Sequence, residues 1–228
     1  MDQARCGEHL LAGGLSIRWA IHSEPGARAT NEDRAEALIE ADTAIFVVAD
    51  GLGGQGAGDE AAQAVMDALK AGVAHAAAAD ASSASAASPT SPPPPLANGS
   101  PVGAARAPAT DLRSLLGRLL DQAHGAVLAL QRRGVGTRHA DATLVLLAVR
   151  AGEIAWANLG DSRLYRCDAT ATALLSRDHS LASLLIETGS LPDGGEVRGN
   201  PDRNRLVRTM ASTPRPSDIQ GPISLQAG

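Results

Sequence analysis

Aromatic side chains are nearly absent from this 228-residue chain: two Trp, one Tyr and one Phe make up 2% of it. Aromatics bury the largest area per residue, so a core here has to be assembled from Ala, Val, Leu and Ile. Cysteine is scarce too. Cys6 and Cys167 have no CxxC spacing and no histidines at zinc-ligand spacing, which argues against a disulfide framework or a zinc site and fits a reduced compartment. Long apolar runs are missing. Asp2, Arg5, Glu8 and Arg18 interrupt the first twenty residues, which excludes the apolar stretch of a secretory signal, and nothing approaches the ~20 apolar residues of a membrane-crossing helix. The expectation is a cytoplasmic protein with no membrane partner. Positive charge is not in excess either: 20 Lys and Arg against 25 Asp and Glu leave a formal charge of −5. That balance argues against nucleic acid as a partner.

What is present, 44% hydrophobic and 20% charged residues, is ordinary for one globular domain spanning 1–228. One stretch departs from it. Residues 76–110 hold 26 Ala, Ser or Pro among 35, with only Asp80 and Arg106 charged, and include four consecutive prolines, 92–95. Without bulky apolar groups to offset ordering entropy, this reads as a disordered or extended insert; a polyproline segment docking a partner is the alternative.

Around the insert the pattern is regular. Thr43 to Ala49 is an apolar, β-branched run of strand length ending at Asp50-Gly51 and a glycine cluster. From Gly58 on, Ala61, Ala62, Val65, Met66, Leu69 and Val73 recur at helical spacing. Asp111 is placed to cap a helix with the stripe Leu112, Leu115, Leu116, Leu119, Ala123, Val127 and Leu130, closed by Arg132, Arg133 and Gly134. Ala142 to Val149 and Glu153 to Leu159 read as a hairpin around Gly152, and Ser162 to Cys167 as a further strand. Asp178 reads as the cap of a helix carrying Leu181, Leu184 and Leu185 and stopped at Gly189. The tail from Ala211 is rich in Pro, Ser and Gly, and no further apolar strand is expected to follow it. Hairpins with helices grouped apart from them predict an α+β fold with an antiparallel sheet.

Carboxylates stand at three strand ends: Glu32-Asp33, Asp50 before Gly51, and Asp161 between Gly160 and Ser162. Taken singly, Asp-Gly is a turn, Asn-Glu-Asp a solvated loop and Asp-Ser a helix cap. Taken together they form a set of hard oxygen donors suited to Mg²⁺ or Mn²⁺, and two such ions can activate a water and clamp phosphoryl oxygens.

The segments Arg28-Ala-Thr-Asn-Glu-Asp-Arg34, Val48-Ala-Asp-Gly-Leu-Gly-Gly-Gln-Gly-Ala-Gly-Asp-Glu60, Asp141-Ala-Thr-Leu-Val145, Ala157 to Arg166, Arg177-Asp-His-Ser-Leu181 and Asn200 to Arg208 together resemble the metal-dependent protein serine/threonine phosphatases of type 2C, also called PPM, in their bacterial form. The resemblance runs in the family's order over roughly residues 15–220, apart from the insert. It implies a four-layer α-β-β-α fold, an antiparallel β-sandwich flanked by helices. It implies that Asp50 bridges two metal ions, that the Gly51 carbonyl completes one shell, that Glu32 and Asp33 bind metal directly or through water, and that Asp161 serves an additional, weaker ion. Arg28 matches the arginine that grips the substrate phosphate, a task suited to a planar guanidinium.

The implied activity is hydrolysis of phosphoserine and phosphothreonine in proteins by a metal-activated water, with Mn²⁺ or Mg²⁺ as cofactor and a serine/threonine kinase as the opposing enzyme. Two departures qualify it. Leu52 stands where some members carry a histidine proposed as proton donor to the leaving group; His22, His139 and His179 are present, and none is assigned a catalytic role. Family members also continue beyond the segment resembling Pro216 to Leu225, into strands and late aspartates that complete one metal shell, so the fold is expected to be incomplete at the C-terminal end and one ion weakened. The alternative reading is an impaired or inactive member that binds phosphoprotein or a partner without turnover.

Overall fold

Alternation along one central strand organises the molecule. The structure, a computed structural model, describes residues 3–11, 14–27, 29–40, 42–53, 56–86, 111–191 and 205–225. Its elements in chain order are β1 (Gln3–Leu10), β2 (Ser16–Ser23), β3 (Asp33–Ile39), β4 (Thr43–Leu52), α1 (Ala57–Ala86), α2 (Leu112–Gln131), β5 (Asp141–Ala142), β6 (Leu144–Arg150), β7 (Glu153–Leu159), β8 (Tyr165–Cys167), β9 (Thr172–Leu174), α3 (Leu181–Glu187) and β10 (Ile219–Ser224). The main sheet has the order β10-β7-β6-β4-β3, with β5 paired to the end of β4, and its pairings are antiparallel. This is the expected α+β class with an antiparallel sheet.

Because side chains alternate across a strand, β4 serves two environments. Ile45, Val47 and Ala49 join a core with Leu144 and Leu146 of β6, Leu69 of α1 and the stripe of α2. Every residue of the predicted α2 stripe is buried, and Asp111 caps that helix by accepting from the Ser114 N–H. Among the described residues this core cluster holds no aromatic side chain, as the composition requires. On the other face Ala44, Val149, Ile154 and Trp156 pack with Phe46 and Leu147 under Leu11, Leu15 and Ile17 from the β1–β2 hairpin and its turn. Leu164 and Leu175, flanking the β8–β9 hairpin, join the same cluster. A helical layer, the main sheet and part of a second sheet layer are thus described.

The β6–β7 hairpin turns at Ala151 and Gly152, with φ of 51° and 79°. Two successive left-handed residues match the right-handed twist of the flanking strands.

The structure corrects three sequence readings and adds a strand. Residues 76–86 continue α1, so the expected insert does not begin at 76; alanine is the best helix former, and Asp80 ion-pairs with Arg150 at 3.5 Å. The rest of that segment, 87–110, lies outside the described residues. The tail contains a strand that the sequence reading did not name: β10 pairs with the edge of β7 and sends Ile219 into the core. Few of its residues are apolar, and Pro222 is tolerated because β10 is an edge strand. The α3 cap is Ser180, which accepts from the Ser183 N–H, while Asp178 is occupied by the Arg163 guanidinium. The strand expected over Ser162 to Cys167 begins only at Tyr165.

Candidate active site

The antiparallel register of β3 and β4 sets Asp33 directly opposite Asp50. Both belong to the face opposite the helices, since Ile45, Val47 and Ala49 alternate with Phe46, Val48 and Asp50. Residues so paired have Cβ atoms about 4.5 to 5.5 Å apart, and like charges there repel. Arg34, next in the chain after Asp33, binds the Asp59 carboxylate, the Gln63 side chain and the carbonyls of Asn31 and Asp33. Two facing carboxylates at a strand end are hard oxygen donors of the kind a divalent cation takes.

Backbone packing fixes the loop beside them. Gly51 N–H donates to the Glu32 carbonyl at 3.2 Å, tying Glu32 to the Asp50-Gly51 corner. A Cβ on Gly51 would overlap the Gly58 carbonyl and stand 2.8 Å from the Glu32 oxygen. Only glycine lets the start of α1 approach the end of β4 this closely. Asn31 Oδ1 accepts from the Asp33 N–H at 3.0 Å, and its Nδ2 donates to Ser23 at 2.8 Å, so the acidic loop is anchored to the β1–β2 hairpin. A cleft of about 610 Å³ opens here, lined in part by Arg5, Ser23, Asn31, Asp33, Arg34 and Asp59.

Asp161 follows β7 in a loop that reaches the same corner through other residues. Thr143 accepts from the Asp50 N–H at 3.2 Å, and its Oγ1 lies 2.6 Å from Ser162 Oγ. On the far side His179 holds Gly160, accepting its N–H on Nδ1 at 3.2 Å and donating its own N–H to the Gly160 carbonyl at 2.8 Å. Burial, followed by the nearby Arg208 charge, holds the His179 pKa below its ordinary value. The neutral ring that accepts from Gly160 is thereby favoured.

The carboxylates of the chain divide by what they touch. Asp141 accepts from Thr209, Ala142 and Ala211; Asp218 is almost fully buried against Arg208 and the Arg215 N–H. These are structural. The carboxylates of Glu32, Asp33 and Asp161 make no hydrogen bond or ion pair among the described residues. Among the described residues no three His, Cys, Asp or Glu side chains cluster closely enough to share an ion. The donor set is therefore one or two carboxylates with backbone oxygen and water, which fits a hard cation such as Mg²⁺ or Mn²⁺ that keeps several waters. Arg28, the expected phosphate grip, lies outside the described residues. Thr143 carried no role in the sequence reading, although it stands inside a quoted motif; nothing in a linear pattern marks a buried threonine as a junction.

A family model described as protein phosphatase 2C matches residues 23–193. The fold resembles the serine/threonine phosphatase of S. agalactiae, with a TM-score of 0.65 and 17% identity over 100% of this chain and 76% of that one. It also resembles the Mycobacterium tuberculosis serine/threonine phosphatase PstP/Ppp, with a TM-score of 0.62 and 20% identity over 100% and 74%. The catalytic domain of PstP solved with two manganese ions aligns at a TM-score of 0.58 and 19% identity, over 100% and 74%. At these identities the likeness speaks for the fold. No curated protein sequence matches.

Proposed function

The chain belongs to the protein phosphatase 2C family, the protein serine/threonine phosphatases, and from that premise we propose that it removes phosphate from phosphoserine and phosphothreonine with Mn²⁺ or Mg²⁺. The observation that carries this reading is the Asp33–Asp50 pair facing across β3 and β4 beside the glycine-only corner at Gly51. Two manganese ions in the PstP catalytic domain support the choice of cation. The cation supplies a Lewis acid that acidifies water and neutralises phosphoryl oxygens.

The chain's own part is placement. Asp50, with Asp33 opposite, provides the charge that retains the cation, and Gly51 provides backbone oxygen at the corner. Glu32 stands next in the loop as a donor direct or through water, and Asp161 approaches from β7 as a further donor. Arg28, four residues before Glu32, orients the phosphate. Leu52 adds no proton donor, so the leaving alkoxide would need its proton from water or another residue. The substrates are phosphoproteins of the cytoplasm, modified by an opposing serine/threonine kinase.

The test is phosphate release from a phosphothreonine peptide by the full chain. Release is expected with millimolar Mn²⁺, none with chelator, and little from Asp50→Asn. A folded protein that binds the phosphopeptide yet releases no phosphate at any Mn²⁺ or Mg²⁺ concentration overturns it in favour of a binding module.

A further inference from the structure

Thr143 is completely buried, at the junction of β5 and β6. Its N–H donates to the Asp50 carbonyl at 2.8 Å, and its hydroxyl accepts from the Asp50 N–H at 3.2 Å. Both backbone polar groups of Asp50 are thus held by one residue. The same hydroxyl reaches Ser162 Oγ at 2.6 Å, one residue from Asp161. The loop also seats on the body of Thr143: Gly160 has φ of 107°, and a Cβ there would stand 2.6 Å from Thr143 Cβ and Cγ2. His179 closes the loop from the opposite side through its two bonds to Gly160. Asp161 is therefore flanked by two anchored residues, and one of those anchors is the residue that sets Asp50.

We infer that Thr143 is a positioning residue whose hydroxyl couples the Asp50 corner to the Asp161 loop, so that a cation held at Asp50 favours a second at Asp161. The inference rests on the reading of Asp50 and Asp161 as metal donors. The hydroxyl, not the shape, is the coupling element. A valine keeps the methyl packing against Gly160 and the N–H bond to Asp50, yet it can neither accept from the Asp50 N–H nor reach Ser162. Loss of such supporting hydrogen bonds behind a ligand typically weakens metal affinity by about 10- to 100-fold.

The experiment is Mn²⁺ binding to the full chain, read by calorimetry and by the paramagnetic resonance signal of free Mn²⁺, with Asp50→Asn and Asp161→Asn identifying the two steps. Thr143→Val is expected to weaken the step lost in Asp161→Asn by about tenfold or more, and Thr143→Ser, which keeps the hydroxyl, to restore it. Ser162→Ala removes the far end of the bridge; it is expected to weaken the same step, and adding it to Thr143→Val to cost little more, because both variants delete one interaction. Should Thr143→Val fold poorly, Ser162→Ala with Thr143→Ser carries the test. Wild-type binding at both steps in Ser162→Ala, or equal losses in Thr143→Ser and Thr143→Val, overturns the coupling while leaving the metal site standing. Absence of any Mn²⁺ binding by the folded wild-type chain overturns the functional reading itself, and the coupling with it.

Discussion

Val47 and Val48 are neighbours on one strand with the same side chain and opposite surroundings. Val47 is 2% exposed, among Leu and Ala of the helix-covered core, whereas Val48 is 45% exposed on the other face. That other face changes along its length. At one end Phe46, Ala44 and Trp156 are sealed by the β1–β2 hairpin, and at the other it carries Val48 and then Asp50 facing Asp33. The helix face is uniform because it has a single task, burial, which supplies the stability of the domain. The opposite face gives up burial toward the corner, where the proposed oxygen donors would need water and a substrate access. On that proposal one strand separates stability from chemistry by parity.

The sharpest break in this comparison is Asp50→Asn. If the corner is a cation site, phosphate release falls by at least about a hundredfold, while the metal-free protein stays folded, because asparagine keeps the size of the side chain and both backbone bonds to Thr143. Near-wild-type turnover would remove the division of labour between the faces. On the helix face the expectation is reversed. Val47→Ala deletes two buried methyl groups and leaves a cavity, costing about 2 to 3 kcal/mol of unfolding free energy, with turnover unchanged in the fraction that stays folded. Urea denaturation beside a phosphate-release assay reads both quantities from the same preparations.

The helix face is also the face that was legible in the residues. Leu112, Leu115, Leu116, Leu119, Ala123, Val127 and Leu130 repeat at helical spacing and are all buried, since an amphipathic pattern is a property of one segment alone. The site was legible only as a set of residue types. That Asp33 meets Asp50 depends on the register of two strands, which no local pattern states. Asp141 and Asp161 are chemically alike in sequence, yet Asp141 is consumed by Thr209, Ala142 and Ala211 and Asp161 is not. The hairpin β1–β2 and the strand β10 were missed for the same reason: Arg5, Glu8 and Arg18 in one and Gly221-Pro222 in the other interrupt their apolar pattern, and pairing with a neighbour makes them strands. The reading of 76–86 failed in the opposite sense, because an Ala/Ser stretch with little bulky apolar surface can still extend a helix already nucleated by Val65 and Leu69.

A smaller effect tests whether the helix layer owes its stability to packing alone. Asp111 accepts from both the Ser114 N–H and hydroxyl, and these bonds hold its pKa below the usual carboxylate value. Asp111→Ala is expected to cost about 1 kcal/mol at neutral pH. A carboxylate whose pKa is lowered by folding stabilises fully above its unfolded value of 3.8, so the gap to wild type should narrow as the pH falls below that toward the folded value. A gap independent of pH would place the cost in helix propensity and not in the cap.

The smallest expected effect closes the comparison on the strand where it began. Val48→Ala removes the same two methyl groups as Val47→Ala, from a position already nearly half exposed. Its cross-strand partner Val145 is 5% exposed, so some contact is lost, but solvent fills the space and no cavity forms. The cost should stay near 0.5 kcal/mol, several times below that of Val47→Ala, with the Mn²⁺ dependence of phosphate release unmoved because Val48 bonds to no donor at the corner. If Val48→Ala instead destabilises the chain as much as Val47→Ala does, this part of the face is covered in solution, and the open approach to Asp50 on which the separation of the two faces depends is not there.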